Sequence, residues 1–358
     1  MPKDFAKEFA DVNFASDNAA PVAPAILDAL AEANAGYALA YGNDDWTRKL
    51  ETRFAEIFER EVAVFLVPTG TAANALALAH VSPPWGVVLC HAESHIQSDE
   101  CGAVEFFGGG LKLAGLNGEG GKITPQALHK ALNGYGGHSP HQMIPSAVSI
   151  TQASEAGTIY RTGDIAALAD IAHSRSLALH MDGARFANAL VRLNASPAEM
   201  TWRSGVDILS FGATKGGAMA AEAVIVFDPA RAAYLGERRK RAGQLVSKHR
   251  FIAAQLLAFL AKDYWLELAR HANAKADLLA AQLTAVGIKP VWPVEANLVF
   301  AVLPRALDAK LRAAGASYYV RGSESLALGA GNVLVRLVTS FATTDAEVRQ
   351  FVELCKET

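Results

Sequence analysis

Leu177-Ala-Leu-His-Met-Asp-Gly-Ala-Arg-Phe186 is a short apolar run that delivers a carboxylate, Asp182, and then turns through a glycine. The run is continuous rather than alternating, as expected for a strand buried on both faces. Runs of the same kind occur at 62–65, 87–90, 147–151, 208–211 and 223–227, so 178–181 is one of a series. Between them lie segments with helical spacing, such as 71–80 and 164–174. This alternation predicts an α/β fold, a mainly parallel sheet flanked by helices. In such sheets ligands bind at the carboxyl ends of the strands, where Asp182 stands.

The C-terminal part reads differently. Residues 250–290 are rich in Ala and Leu at helical spacing. A strand-like run at 297–303, a helix near 307–314, a second run at 333–340 and a last helix opening at Thr344 follow. Thr344 and Glu347 have capping-box spacing. We expect a large domain over 1–250, including the N-terminal segment, and a small α+β domain over 251–358, divided inside a long helix near 250–275. Residues 117–121 and 133–141 are turn-rich and read as exposed loops.

Composition narrows the class. Hydrophobic residues are 51% of the 358, and 33 basic against 36 acidic side chains leave a net charge of −3. That is an ordinary globular balance with no nucleic-acid or lipid signature. Cys90, Cys101 and Cys355 have no metal-site spacing, and we expect no metal. They suit a reducing cytoplasm. The opening Met-Pro-Lys-Asp-Phe lacks the apolar run of a signal peptide, and no stretch approaches the roughly 20 apolar residues of a membrane span.

Four segments carry chemistry. In Ser210-Phe-Gly-Ala-Thr-Lys-Gly-Gly217 a strand ends and Lys215 sits in a glycine-rich turn; alone, it reads equally as a surface lysine. Asp182, 33 positions upstream (215 − 182), alone reads as a helix cap. Together they meet the needs of a pyridine-ring cofactor: an anion against the ring nitrogen, so the ring can accept electrons, and an amine to hold it. Arg185 offers a planar fork for a carboxylate. In Phe65-Leu-Val-Pro-Thr-Gly-Thr-Ala-Ala-Asn74 a strand runs into a helix whose free N–H groups, with Thr69 and Thr71, favour a phosphate; simple capping is the plainer reading. His95, just past the 87–90 run, is placed to stack on a flat ring, or is structural.

Taken together, these segments resemble the L-threonine aldolases of the pyridoxal-phosphate fold-type I superfamily, which also holds the aspartate aminotransferases. The likeness starts at Phe14-Ala-Ser-Asp-Asn18 and passes through Tyr41-Gly-Asn-Asp-Asp45, Pro68 to Asn74, His95, Thr151-Gln-Ala-Ser-Glu-Ala-Gly157, His180 to Arg185 and Thr214-Lys215. It ends at Val335-Arg-Leu-Val-Thr339. The resemblance implies a large domain and a small α+β C-terminal domain, with pyridoxal 5'-phosphate held covalently by Lys215. Asp182 would pair with the ring nitrogen, His95 stack on the ring, and Gly70 and Thr71 hold the phosphate. Ser16, Arg185 and Arg336 would grip the carboxylate of an amino-acid substrate. It also implies a homo-oligomer, dimer or tetramer, with shared active sites that Tyr41 and the basic segment 238–250 would reach.

The implied reaction is retro-aldol cleavage of L-threonine or L-allo-threonine, and of relatives such as phenylserine, to glycine and an aldehyde. β-Elimination or amino-group transfer on the same scaffold is the alternative, since one fold hosts many chemistries. An amino-acid sensor without turnover is a third reading; no DNA-binding segment or basic patch supports it. Two departures stand out. A histidine common in the family is absent from Ser154-Glu155-Ala156-Gly157, which leaves the base open: Glu155 replaces it, a water does the work, or the position does not matter. Ser16-Asp-Asn-Ala-Ala-Pro21 replaces the commoner Ser-Asp-Thr and resembles the low-specificity branch.

Overall fold

The computed structural model describes residues 12–137, 139–322, 328–329 and 331–356. The Met1–Phe5 stretch read above lies outside them. The strands in chain order are β1 (Val12–Asn13), β2 (Ala63–Val67), β3 (Gly86–His91), β4 (Lys112–Leu116), β5 (Ile144–Thr151), β6 (Ala178–Gly183), β7 (Ile208–Gly212), β8 (Glu222–Val226), β9 (Leu298–Pro304), β10 (Ala316–Ser317), β11 (Tyr319–Arg321) and β12 (Asn332–Val338).

Seven strands form one sheet in the order β2-β8-β7-β6-β5-β3-β4. Within it only β8 runs against its neighbours, so the expected mainly parallel sheet is present. The central strands β3, β6, β7 and β8 are buried along their whole length, which explains their unbroken apolar runs. Strand β4 was not anticipated. It is an edge strand, with Lys112 and Gly115 exposed, so its sequence carries neither a continuous apolar run nor clean alternation.

A three-stranded antiparallel sheet, β11-β12-β9, forms the C-terminal part, and β1 pairs in parallel with β10. Val12 and Phe14 join the core under this small sheet, where the Phe14 ring meets Phe351 edge-on at 5.3 Å. The expected long helix is two helices, Arg250–Leu260 and Tyr264–Ala285. Lys262 and Asp263 break it at φ 49° and 60°, left-handed backbone that no helix propagates. The second helix bridges both cores. Its Trp265 and Ala269 pack with the large sheet, and its Ala276, Leu279 and Leu283 pack with the small one. Thr344 and Glu347 form the expected capping box, at 3.2 and 2.7 Å. No helix among the described residues is long and apolar enough to cross a membrane.

Candidate functional site

Strands β2, β3, β5, β6 and β7 run the same way, so the segments that follow them emerge at one edge of the sheet. These are Thr69–Gly70, His95, Glu155, Asp182 and Lys215, five segments of the sequence now gathered at one place.

Asp182 ends β6 and is buried. Its Oδ1 accepts from Ala184 N at 3.0 Å, and its Oδ2 from Asn74 Nδ2 at 2.9 Å. The carboxylate therefore closes an Asx turn and does not cap the following helix, whose N-cap is Arg185. Gly183 is required there, because a Cβ would lie 2.8 Å from Ser210 O on the next strand. Beneath Asp182, His180 is bonded to Ser149 Oγ at 2.9 Å and Ser210 Oγ at 3.0 Å. Burial pushes its pKa down to about 4, so it stays neutral under the charged edge.

Lys215 follows β7. Its charge acts on Asp17, His95 and Glu222, which brackets the position of the amine. Gly216 gives the turn its close approach to the core, since a Cβ would meet Phe259 Cζ at 2.7 Å. Glu222, fully buried at the start of β8, accepts from Thr214 N at 3.3 Å. Burial raises its pKa to about 7, against the pull of Thr214 and Lys215.

Thr69 is the N-cap of the helix Gly70–Val81, its hydroxyl accepting from Ala72 N at 3.1 Å. Capping is thus real, and it still leaves the first-turn N–H groups of Gly70 and Thr71 without intrahelical partners. The space at Gly70 is open, with no atom within 4 Å of a Cβ position. This is a place for an anion.

Ser16, His95, Glu155 and Arg336 line one cleft of about 1610 Å³, together with Tyr319 and Arg321. Arg185 does not present a free fork to it. Its Nε and Nη2 bind Asp17 at 2.8 and 3.0 Å, and Asn297 Nδ2 donates to the same carboxylate at 3.1 Å. Burial alone would raise the Asp17 pKa, but Arg185 and then Lys215 outweigh it and hold it below the ordinary aspartate value. Arg336 is the less satisfied guanidinium. Its Nη2 reaches Ala15 O at 3.3 Å, its buried Nε has no partner among the described residues, and it stacks on the Tyr319 ring at 5.2 Å. Burial, then repulsion from Arg185 and Arg321, lowers its pKa. Arg321 Nη1 lies 3.6 Å from Glu155 Oε2.

Tyr41 stands apart from this group. It is exposed, with φ 60°, its N–H bonded to Ser247 O at 3.0 Å and Lys240 Nζ 4.7 Å from its ring centroid. Sequence reading missed Asp17, Asn74, Glu100, Arg321 and Glu222. Asp17 and Asn74 lie inside quoted motifs and could have been flagged as polar residues in otherwise apolar or small-residue stretches. The residues present fit pyridoxal phosphate. An amine, a carboxylate for the ring nitrogen and open helix N–H groups for the phosphate stand at one sheet edge, and Arg336, whose Nε is unpartnered among the described residues, lines the cleft with a guanidinium for a substrate carboxylate.

Residues 13–306 match the family described as Beta-eliminating lyase. A low specificity L-threonine aldolase of Pseudomonas aeruginosa is 44% identical over 308 residues, covering 86% of this chain and 88% of that protein. A second, from a Pseudomonas strain, is 40% identical over 339 residues, 94% of this chain and 95% of that one. A threonine aldolase of Leishmania major superposes with a TM-score of 0.90 at 30% identity, over 96% of this chain and 98% of the other.

Proposed function

The chain belongs to the beta-eliminating lyase family, with the low-specificity L-threonine aldolases, and from that premise we propose retro-aldol cleavage of L-threonine and L-allo-threonine. The products are glycine and acetaldehyde. Larger β-hydroxy-α-amino acids such as phenylserine are further candidate substrates. The observation that supports this reading most is the pairing of β6 with β7, which sets Asp182 beside Ser210 on the strand that leads to Lys215, with both charges acting on His95 in the wall of the cleft.

Pyridoxal phosphate, when bound, supplies an electron sink for the pair released as the Cα–Cβ bond breaks. Lys215 would hold it covalently, Asp182 would face its ring nitrogen, His95 would lie on its ring, and Gly70 and Thr71 would take its phosphate. Arg336 and Ser16 bind the substrate carboxylate, and Arg185, occupied by Asp17, adds its charge behind them. Fixing that carboxylate sets the orientation of the Cα–Cβ bond, which is where proximity contributes most. Glu155, 7% exposed in the same cleft, accepts the β-hydroxyl proton.

We also infer a homo-oligomer, dimer or tetramer. Tyr37, Leu39 and Tyr41 are exposed on a segment tied to 240–250 through Tyr41 N to Ser247 O and Arg250 Nη1 to Gly36 O, and a second copy would cover this apolar face. Cys90 and Cys101 carry free thiols, in keeping with a reducing cytoplasm. The deciding experiment measures aldehyde, ammonia and amino-group transfer from L-threonine, L-allo-threonine and phenylserine. Stoichiometric aldehyde and glycine support the aldolase reading. Ammonia release would replace it with β-elimination, and amino-group transfer with an aminotransferase. Sedimentation of the purified protein tests the assembly, a lone 37.9 kDa species counting against it.

A further inference from the structure

Four side chains form an unbroken line of hydrogen bonds beneath the cleft. His95 Nδ1 lies 2.8 Å from Glu100 Oε1. Asn74 Nδ2 donates to that same oxygen at 2.8 Å and to Asp182 Oδ2 at 2.9 Å. The Glu100 side chain is 1% exposed, and Asn74 and Asp182 are buried. One amide nitrogen thus spans two carboxylates. The bonding of Glu100 converges on Oε1, because its Oε2 has no partner among the described residues.

A buried carboxylate needs a cation or several donors to stay ionised. Among the described residues Glu100 meets one amide hydrogen and the His95 ring, so His95 is the partner able to carry a compensating positive charge. The charged groups that face this imidazole are Glu100, Glu155 and Asp182 on one side of the balance and Lys215 on the other. The bond to Glu100 is the largest influence and outweighs burial, raising the His95 pKa above the ordinary histidine value. With Nδ1 committed to Glu100, Nε2 is the atom left for the cleft, which His95 lines.

We propose that Glu100, braced by Asn74 against Asp182, holds His95 as an imidazolium whose Nε2–H is a hydrogen-bond donor to the β-oxygen of the substrate. His95 is then a donor and not the base, which leaves Glu155 as the acceptor of the β-hydroxyl proton. In the cleavage step the O–H bond breaks and its proton passes to a Glu155 oxygen. The C=O of the aldehyde forms, the Cα–Cβ pair stays on the glycine side, and His95 keeps its proton throughout. Glu100 and Asn74 touch neither substrate nor cofactor and are positioning residues. The proposal rests on the reading that His95 lies at the cofactor's ring, and it settles which of two neighbouring groups moves the proton.

The test is a pH titration of the holoenzyme without substrate, labelled with ¹³C at histidine Cε1, with the His95 resonance assigned by its loss in His95→Gln. Wild-type His95 is expected to titrate above the ordinary range of about 6.5. Glu100→Gln keeps the shape and removes the charge, and should weaken proton binding at His95 about tenfold or more, the scale of one charge-assisted hydrogen bond. Glu100→Asp should restore part of the shift. A wild-type His95 that is neutral at pH 7, or a Glu100→Gln protein whose His95 midpoint does not move, would overturn the proposal. The wild-type measurement decides even if the variant does not fold. Because no turnover is involved, a failure of the aldolase reading would show in the product assay and not here.

Discussion

The floor and the wall of the cleft are built on opposite principles. On the floor, Asp182, Asn74 and Glu100 are buried and linked by hydrogen bonds of 2.8 and 2.9 Å, His180 is held by Ser149 and Ser210 at 2.9 and 3.0 Å, and the Asp17–Arg185 pair is sealed beside them. On the wall, Arg336 keeps a buried nitrogen without a partner among the described residues, and Arg321 meets Glu155 only at 3.6 Å. The floor comes from β6 and from the segments that follow β2 and β3 of the large sheet, and this part of the wall from β11 and β12 of the small one. A satisfied network fixes the position of one permanent group. An unsatisfied cation waits for a group that comes and goes, and its desolvation is repaid only when an anion arrives. Floor substitutions should therefore cost stability or cofactor, and wall substitutions should cost substrate binding.

The largest effect is expected on the floor, at Lys215. Lys215→Ala should lose the absorbance of the covalently held cofactor and lower threonine cleavage by roughly 10⁴-fold, the upper scale for one positioned acid–base or nucleophilic group. Retention of both would mean another residue holds the cofactor.

Asp17→Asn comes next, and its damage should appear first in stability. Removing one partner of a buried ion pair leaves the other uncompensated, at about 3–5 kcal/mol. A lower urea midpoint at pH 7 is the measurement. The pH dependence has a definite sign. The folded-state pKa of Asp17 is depressed, so its contribution is present above the ordinary aspartate value and is lost as pH falls through the lower folded value. The variant should lose part of the wild-type destabilisation on acidification below about pH 4. Equal urea midpoints would place Asp17 with the wall instead.

On the wall, Arg336→Leu should leave the urea midpoint nearly unchanged and raise KM for threonine by about 10- to 150-fold, the span of a charged hydrogen bond of roughly 1.5–3 kcal/mol. Arg336→Lys should recover only part of this, since an ammonium cannot make the planar two-point contact. If KM stays constant and kcat falls, Arg336 acts on the reacting bond and not on the carboxylate.

The two regions also differ in how far they can be read from sequence. Asp182 and Lys215 are visible because each ends a continuous apolar run, and buried strands leave such runs. The fork of Arg185 was read as free because nothing in the order of residues shows that Asp17, 168 positions earlier, folds onto it. Arg321 was invisible for a different reason. It closes a three-residue strand whose Tyr319 and Val320 are exposed, too short for any period to appear. The edge strand β4 hides in the same way. Local pattern reports burial, whereas pairing between distant polar groups is a property of the assembled fold.

Arg321→Leu is the smallest of these effects and the most discriminating about the wall. Its pair with Glu155 is long and its side chain 23% exposed, a geometry in which ion pairs contribute about 0–1 kcal/mol. Arg321 also repels Arg336, so removing it lets Arg336 carry its charge more easily and partly offsets the lost attraction. KM for threonine should therefore change by about fivefold at most. The double variant Arg321→Leu/Arg336→Leu should then exceed the sum of the two single effects, because the relief of repulsion that softens each single change is gained only once. Strict additivity would show that the two guanidiniums do not sense one another, and a larger loss from Arg321 than from Arg336 would move the carboxylate anchor to β11.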